Sequence, residues 1–477
     1  MRHSPAIPLP PLTRVAIVGA GGPSGLVAVQ QLLEAGIPPH KILAYEGRAT
    51  AGGVWNYAEH PGDIHIQWRK NGTPLLRTDK ELDAEGSNGP SAVYDRLRTN
   101  LPNKVMAFHN YPFPEDTPIF PWHYQVKHYL QDYAAKKGLN DIIQYQHRVL
   151  AVYHTPGTSD PAEKWTVVTE NTITRQRRSE LVSHIIVSNG HYNEPYIPRV
   201  RGLDSFTGEV FHSRWWRNPF QYEGKNVLVV GSKSSGSDIA RELAVVDHEK
   251  RLKGEKVTRK IYQSLHGLVD PKNPTWDDDL EWAKEINVVA QIDRIDGGII
   301  HLIDGSEVTG VDVIFYATGY LFSYPFCHEQ PPFNSQPVTA ALSPAEKDKG
   351  IPKAGGHTIT NLDPSETFYA PDPTLALINL HYLVNPFPLG EITARLVAYS
   401  FAHAEVPPLP ALRKQSSEPG DIRIGYPQEY INMDNWLLAI GEGGETGGPN
   451  HGWKRIPDEI REARRDALKT RKEVLGY

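Results

Sequence analysis

The 477-residue chain contains a single cysteine, Cys327. One thiol excludes intramolecular disulfides and any dithiol redox pair, and it suits a reducing compartment. No apolar run approaches the ~20 residues needed to cross a bilayer, so no membrane partner is expected. The formal charge is -6 and no block of Lys and Arg supplies a local basic field, so nucleic acid is not an expected partner either. The opening MRHSPAIPLPPL lacks the continuous apolar core of a signal peptide and reads as a disordered lead-in. The expected location is cytoplasmic. No Ser-His-Asp arrangement or carboxylate pair stands out. Asp277–Asp279 has no His or Cys at ligand spacing nearby, so it reads as part of a solvated loop and no metal is expected.

What is present is an ordinary balance, 39% hydrophobic and 22% charged, in a chain long enough for two or three domains. The stretch Val15–Gly36, VAIVGAGGPSGLVAVQQLLEAG, organises the rest. Val15–Val18 reads as a buried parallel strand that breaks into the turn Gly19, Ala20, Gly21, Gly22, Pro23, Ser24, Gly25. The turn opens a helix with Leu26, Val29 and Leu33 on one face. Glycines permit close backbone approach to a pyrophosphate, and a helix N-terminus offers free N–H groups and a positive dipole end. A second strand, Lys41–Tyr45, ends at Glu46, where an acid meets a ribose hydroxyl in a dinucleotide-binding βαβ unit. The turn carries one residue more than G-x-G-x-x-G, so a plain Gly/Pro turn competes with this reading when the motif stands alone.

Further along, Gly52 and Gly53 before Val54 and Trp55 suit a loop beside a flat ring system, or a turn with a core Trp. Residues 58–92 read as a surface excursion. A helix falls within Phe120–Lys137, with Val126, Tyr129, Leu130 and Tyr133 sharing a face. Strands at Arg148–His154 and Trp165–Thr169 predict a β-meander, and His184–Gly190 is a strand ending in a glycine turn. Lys225–Val246 then repeats the opening design: strand Val227–Val230, a small-residue turn Gly231 to Gly236, and a helix lined by Ile239, Leu243 and Val246. Two strand–turn–helix units argue for two nucleotide-binding domains. The second is not a P-loop, because Gly236 is followed by Ser237 and Asp238. The spacing further predicts a strand at Lys256–Gln263, a hairpin at Val288–Ile303 and a strand at Val311–Tyr320 that carries Ala317-Thr318-Gly319. Residues 330–372 read as irregular. A strand Ala376–Leu380, a loop NPFPLGE and a helix follow, and Asp458–Glu473 reads as a charged, solvated outer helix.

These landmarks, in this order, resemble the flavin-containing monooxygenases. The piece that carries the resemblance is Phe206-Thr-Gly208-Glu-Val-Phe-His212-Ser-Arg-Trp-Trp216, which fits F-x-G-x-x-x-H-x-x-x-(F/Y/W) shortly before the second glycine turn. Thr318–Phe326 and Pro386–Ile392 look most like the shorter, soluble fungal branch. The resemblance implies an α/β fold of two Rossmann-like dinucleotide-binding domains, the NADPH domain (201–318) inserted into a discontinuous FAD domain (13–200 and 319–477). It implies that Gly19, Gly21, Gly22, Pro23, Ser24 and Gly25 cradle the FAD pyrophosphate and that Glu46 holds the ribose. Val54 and Trp55 would lie along the flavin, with Val149 near the adenine. Ser232, Lys233, Ser234, Ser235 and Gly236 would take the NADP pyrophosphate. His212 and Trp216 would support the nicotinamide cofactor, and Thr318 would return the chain against the flavin. Asn100, after Thr99, matches the asparagine that faces the flavin ring.

The implied enzyme is an FAD- and NADPH-dependent monooxygenase. NADPH reduces FAD, O₂ adds at C4a, and the flavin hydroperoxide oxygenates a soft nitrogen or sulfur of a small molecule. Fungal members in secondary metabolism oxidise alkaloid amines, some on to nitrones. Asn100 would donate a hydrogen bond in that step. The family's arginine for the 2′-phosphate is absent from Gln263-Ser-Leu-His266, which leaves Lys233 or His266 to substitute. Tyr94, Phe108, Tyr382 and Phe387 would suit a flat substrate and fit core positions equally well. The alternatives are a Baeyer–Villiger monooxygenase, favoured by Trp216 and disfavoured by Asn100 where a flavin-facing arginine is needed, and an NADPH oxidase or idle flavin scaffold. Whether the protein is a homodimer stays open.

Overall fold

Val15–Val18 has no exposed face, as expected for a strand covered by helices on both sides of a parallel sheet. In the computed structural model it lies at the centre of a five-stranded sheet ordered 375–377, 184–187, 15–18, 42–45, 143–144, each neighbour parallel. The structure describes the chain except residues 1–4, 63, 69–73, 79–90, 271–274, 278, 328–329, 340–354, 357–358, 415–421, 448–451 and 477. Parts of the expected lead-in, of the 58–92 excursion, of the acidic insertion with Asp278 and of the irregular 330–372 stretch therefore lie outside the described residues.

Helix α1 (Pro23–Glu34) follows the first strand, with Pro23 at its first position, where the missing N–H has no acceptor to lose. Its Leu26, Val27, Val29 and Leu32 are buried, and helix α2 (His123–Lys136) turns Val126, Tyr129, Leu130 and Tyr133 into the same core. Truncating one of these fully buried leucines to Ala would cost about 2–5 kcal/mol. An antiparallel meander, His147–His154, Trp165–Asn171 and Arg177–Val182, connects the outer strand back to 184–187.

The second sheet is built from 209–212, 313–316, 227–230, 261–264 and 286–289, again all parallel. Helix α3 (Ser234–Leu252) packs on it through Ile239, Ala240 and Leu243. All its strands fall between the first sheet's fourth strand in sequence and its fifth, Leu375–Leu377. Helix α4 (Pro386–His403) then packs on α1, followed by α5 (Gln428–Ala439), α6 (Asp458–Arg465) and α7 (Ala467–Leu475). Among the described residues no helix is long and apolar enough to cross a membrane.

Several local expectations are corrected. Ile7–Pro8 pairs with Glu405–Val406, and Leu9 is buried, so this part of the lead-in is ordered. The excursion contains a hairpin, Ile64–Trp68 with Pro74–Thr78. Strand 261–264 starts five residues later than read, because Arg259 turns inward to pair with Asp247 at 2.6 Å. Ile286–Val289 joins the parallel sheet, and the antiparallel hairpin is 292–296 with 299–302. Most of NPFPLGE is helical: α4 begins at Pro386, since proline in a first turn forfeits no intrahelical bond. The charged tail forms two helices, and Arg464 reaches the fully buried Glu429 at 2.9 Å.

Candidate active site

The first glycine turn leaves no room for a Cβ at Gly19, Gly21 or Gly25. A Cβ on Gly25 would lie 2.2 Å from the Gly19 carbonyl oxygen, and one on Gly21 would lie 2.6 Å from Glu46 Cγ. Gly19 has φ +84 and fits against Asn189. The extra residue is absorbed by a short turn in which Gly19 and Ala20 both donate to the Tyr45 carbonyl and Gly22 caps α1. The first-turn amides of Ser24 and Gly25 have no intrahelical acceptor by geometry and stand available to an anion.

Glu46 is buried beside this turn. Its two oxygens accept from the Gly21 and Arg48 amides, each at 2.9 Å. Burial raises its carboxyl pKa, and those two amides oppose the rise. Each oxygen keeps a second lone pair for a ribose hydroxyl. The Gly52 amide donates to Gly21, and Gly53 approaches so closely that its Cβ would meet Gly22 Cα at 2.7 Å. Val54 and Trp55 follow in a 3-10 turn, with Trp55 edge-on to Phe387 at 6.4 Å. Val149 lies two positions beyond His147, whose amide donates to the Glu46 carbonyl at 2.9 Å. Ser24 Oγ accepts from Asn379 at 3.2 Å. A cradle that a Cβ would fill, with a buried acid at its edge, fits a dinucleotide pyrophosphate and ribose.

The second turn repeats the device. Gly231 has φ +119, and a Cβ on Gly236 would sit 2.3 Å from the Gly231 carbonyl. Ser237 Oγ donates to the Ser232 carbonyl, Lys233 is the exposed N-cap of α3, and Ser234 and Ser235 open its first turn. Asn100 reaches the second turn. It is exposed, follows the buried Thr99, and its side-chain amide reaches Ser234 Oγ at 3.4 Å.

His212 is fully buried. Its Nδ1 accepts the Arg214 amide, so Nε2 carries the proton and donates to the Gly319 carbonyl at 2.9 Å. Burial lowers its pKa to about 3, which keeps the ring neutral. Thr318 Oγ1 donates to the Tyr196 carbonyl. Trp216 stacks on Tyr222 inside the second core and donates to Glu242 at 3.2 Å, which makes it a packing residue. Of the four aromatics singled out in the sequence, Phe108 and Phe387 stack on each other in the core at 5.1 Å, and Tyr94 is buried against Asp238.

The sequence reads His191-Tyr-Asn-Glu-Pro195 as a crossover between domains but assigns no role to Tyr192 or Glu194. Tyr192 keeps 43% of its surface accessible, and its ring packs edge-on against Tyr320 at 5.5 Å and Tyr382 at 6.2 Å. Beside it, burial raises Glu194 to about 7, opposed by the buried Arg214. The sequence signal was the aromatic and acidic pair within HYNEP.

A family model described as flavin-binding monooxygenase-like matches residues 80–267. The chain is 30% identical over 322 residues to the flavin-containing monooxygenase FMO GS-OX5 of Arabidopsis thaliana, a match covering 65% of this chain and 61% of that protein. The chain thus spans about three fifths of that relative's length. It is 27% identical over 391 residues to FMO GS-OX-like 2 of the same plant, covering 80% of this chain and 72% of the relative. Among solved structures, the S-allyl-L-cysteine S-oxygenase from Allium sativum superposes with a TM-score of 0.70 at 23% identity, over 98% of this chain and 94% of that one. The last likeness is one of fold.

Proposed function

We propose that this chain is a flavin-binding monooxygenase of the kind its matches describe, binding FAD and NADPH and using O₂ to oxygenate a soft nucleophilic nitrogen or sulfur of a small molecule. In this reading residues 13–200 with 319–477 bind FAD and 201–318 bind NADPH. The observation that carries it is the Asn100–Ser234 contact, which joins a loop of the first unit to the turn that opens α3.

Gly19 to Gly25 would hold the FAD pyrophosphate through the amides of the α1 N-terminus, and Glu46 would take the ribose hydroxyls. Val54 and Trp55 would lie along the flavin and Val149 near the adenine. Ser232 to Gly236 would hold the NADPH pyrophosphate. When bound, the flavin supplies the redox chemistry, taking hydride from the nicotinamide and activating O₂. A soft nucleophile attacks electrophilic oxygen without first losing a proton, so the side chains position, donate hydrogen bonds and exclude water. Asn100 would donate its amide to the reacting oxygen. His212 and Thr318 would keep the 317–319 segment fixed behind the site through Gly319 and Tyr196.

The substrate is proposed as a soft nucleophile and no finer, because Phe108 and Phe387 are spent on packing and lend no support to a flat alkaloid amine. The test is NADPH-coupled O₂ uptake against secondary amines, indoles and thioethers, with mass analysis for gain of one oxygen. NADPH consumption that yields only H₂O₂ with every substrate would make the protein an oxidase, and conversion of ketones to esters would make it a Baeyer–Villiger enzyme.

A further inference from the structure

Helices α6 and α7 are separated by one residue, Asp466, yet they are tied to different parts of the molecule. On α6, Arg461 forks onto Asp434 of α5 at 2.7 and 3.0 Å and lies over the Tyr430 ring, while Arg464 pairs with Glu429. These contacts hold α6 to the unit that carries the first glycine turn. On α7, Arg471 donates to Asp238 of α3 at 3.3 Å, and Lys472 reaches Asp277 at 2.6 Å and Asp279 at 3.8 Å. Both partners belong to the unit that carries the second turn.

Helix α7 has almost no apolar reason to lie there. It buries only Ala467, while Leu468 and Val474 are 78% and 47% exposed. Its docking therefore rests on charge pairs in place of the usual apolar stripe. The Lys472 pairs are exposed and weak, so the buried end matters more. There Asp238 is only 4% exposed, one helical turn beyond Ser234. It accepts from Arg471, from Arg241 of its own helix at 3.2 Å, and from the Tyr94 hydroxyl. Tyr94 lies six residues before Asn100. One buried carboxylate thus gathers the C-terminal helix, the helix of the second turn and the segment that carries Asn100.

We propose that α7 is a strap, and that Arg471 and Tyr94 are positioning residues that clamp α3 through Asp238 and thereby set where the nicotinamide of an NADPH whose pyrophosphate sits at Ser232–Gly236 meets the flavin. This rests on the function proposed above. Arg471 donates to Asp238 and acts through it. Its removal leaves Asp238 neutralised by Arg241, so Arg471→Ala frees the strap without stranding a buried charge.

The test uses the full-length FAD-loaded protein under anaerobic conditions. Flavin reduction is followed by stopped flow with NADPH, and separately with dithionite, a small reductant that needs no docking. In Arg471→Ala and in Tyr94→Phe, which keeps the ring, reduction by NADPH should slow about tenfold, with FAD content and the dithionite rate unchanged. Arg471→Lys should recover most of the loss. An unaltered NADPH rate in a folded, FAD-loaded Arg471→Ala protein overturns the proposal. So does an equal slowing with dithionite, and so does loss of FAD or of folding in both variants, because each assigns the contacts to stability. A wild-type protein that holds no FAD, or whose flavin NADPH does not reduce, overturns the function itself.

Discussion

The side-chain amide of Asn100 lies 3.4 Å from Ser234 Oγ, across 134 positions of sequence. Asn100 lies just before the helical turn Asn103–Met106, and Ser234 is the first residue of α3. An exposed amide held at this junction by a single long hydrogen bond can exchange that partner for a reacting oxygen at little cost.

Replacing Asn100 with Ala should leave FAD bound and divert reducing equivalents to H₂O₂. Loss of one positioned donor corresponds to about 3 kcal/mol at the transition state, or roughly a hundredfold in oxygen transfer. Ser234→Ala should have a much smaller effect on transfer. The measurement is the ratio of oxygenated product to NADPH consumed; an unchanged ratio in Asn100→Ala would remove the residue from the chemistry.

The first glycine turn yields a contrast between two glycines of one element. A Cβ at Gly25 meets the Gly19 carbonyl at 2.2 Å, with backbone on both sides, so the turn must open to accept it. Gly36, at the other end of α1, has φ +82 and nothing within 4 Å. Gly25→Ala should cost about 1–3 kcal/mol and most of the FAD content. Gly36→Ala should cost about 1 kcal/mol and keep the FAD. Visible absorbance of the purified proteins, with their unfolding midpoints, decides it; equal FAD content in the two would contradict the cradle.

What the sequence conveyed and what it did not divide along the range of the interactions. Val15–Val18, the Gly19–Gly25 turn and α1 were legible because strand, turn and helix each declare themselves within a few residues. So were the second unit and the meander. The order of Ile7–Pro8 was not legible, because its partner is Glu405–Val406, nearly the whole chain away. Pro386 and Pro388 were read as loop residues although the first turn of a helix tolerates them. The charged tail looked solvated because Glu429, Asp434 and Asp238 are not its sequence neighbours. Asn100 was legible as a candidate only through the family resemblance, and its meeting with Ser234 required the fold.

Burial of His212 sets a pH dependence with a definite sign. Its pKa is about 3 in the folded protein and about 6.5 in an unfolded chain. Below about 6.5 the unfolded state binds the additional proton, so this contribution to stability is present above that pH and lost as pH falls toward 3. His184 and His191, also lowered to about 3 by burial, act in the same direction. His212→Gln removes one of the three titrations and disturbs the bonds to Gly319 and Arg214. At pH 7.5 it should be about 1–3 kcal/mol less stable than wild type, and the deficit should shrink on acidification. Urea unfolding at two pH values measures this; a deficit that grows toward acid would contradict a neutral buried ring.

The last prediction concerns the choice between NADPH and NADH. Gln263, within the second strand of this unit, is buried, donating to the Gly231 carbonyl at 3.1 Å and accepting from Trp276 at 2.9 Å, so it cannot also serve a phosphate. Ser264 is buried too and donates to the Ala290 carbonyl. That leaves Lys233, exposed at the N-cap of α3, and the exposed His266. A lysine on a dianionic 2′-phosphate makes a charge-assisted bond, discounted here to about 1 kcal/mol because solvent screens it. Lys233→Ala should therefore raise KM for NADPH about fivefold and leave NADH nearly unaffected, lowering the ratio of the two kcat/KM values by the same factor. His266→Ala should change that ratio less. Equal changes for both nucleotides in Lys233→Ala would show that Lys233 supports the turn in general and that the 2′-phosphate is recognised elsewhere.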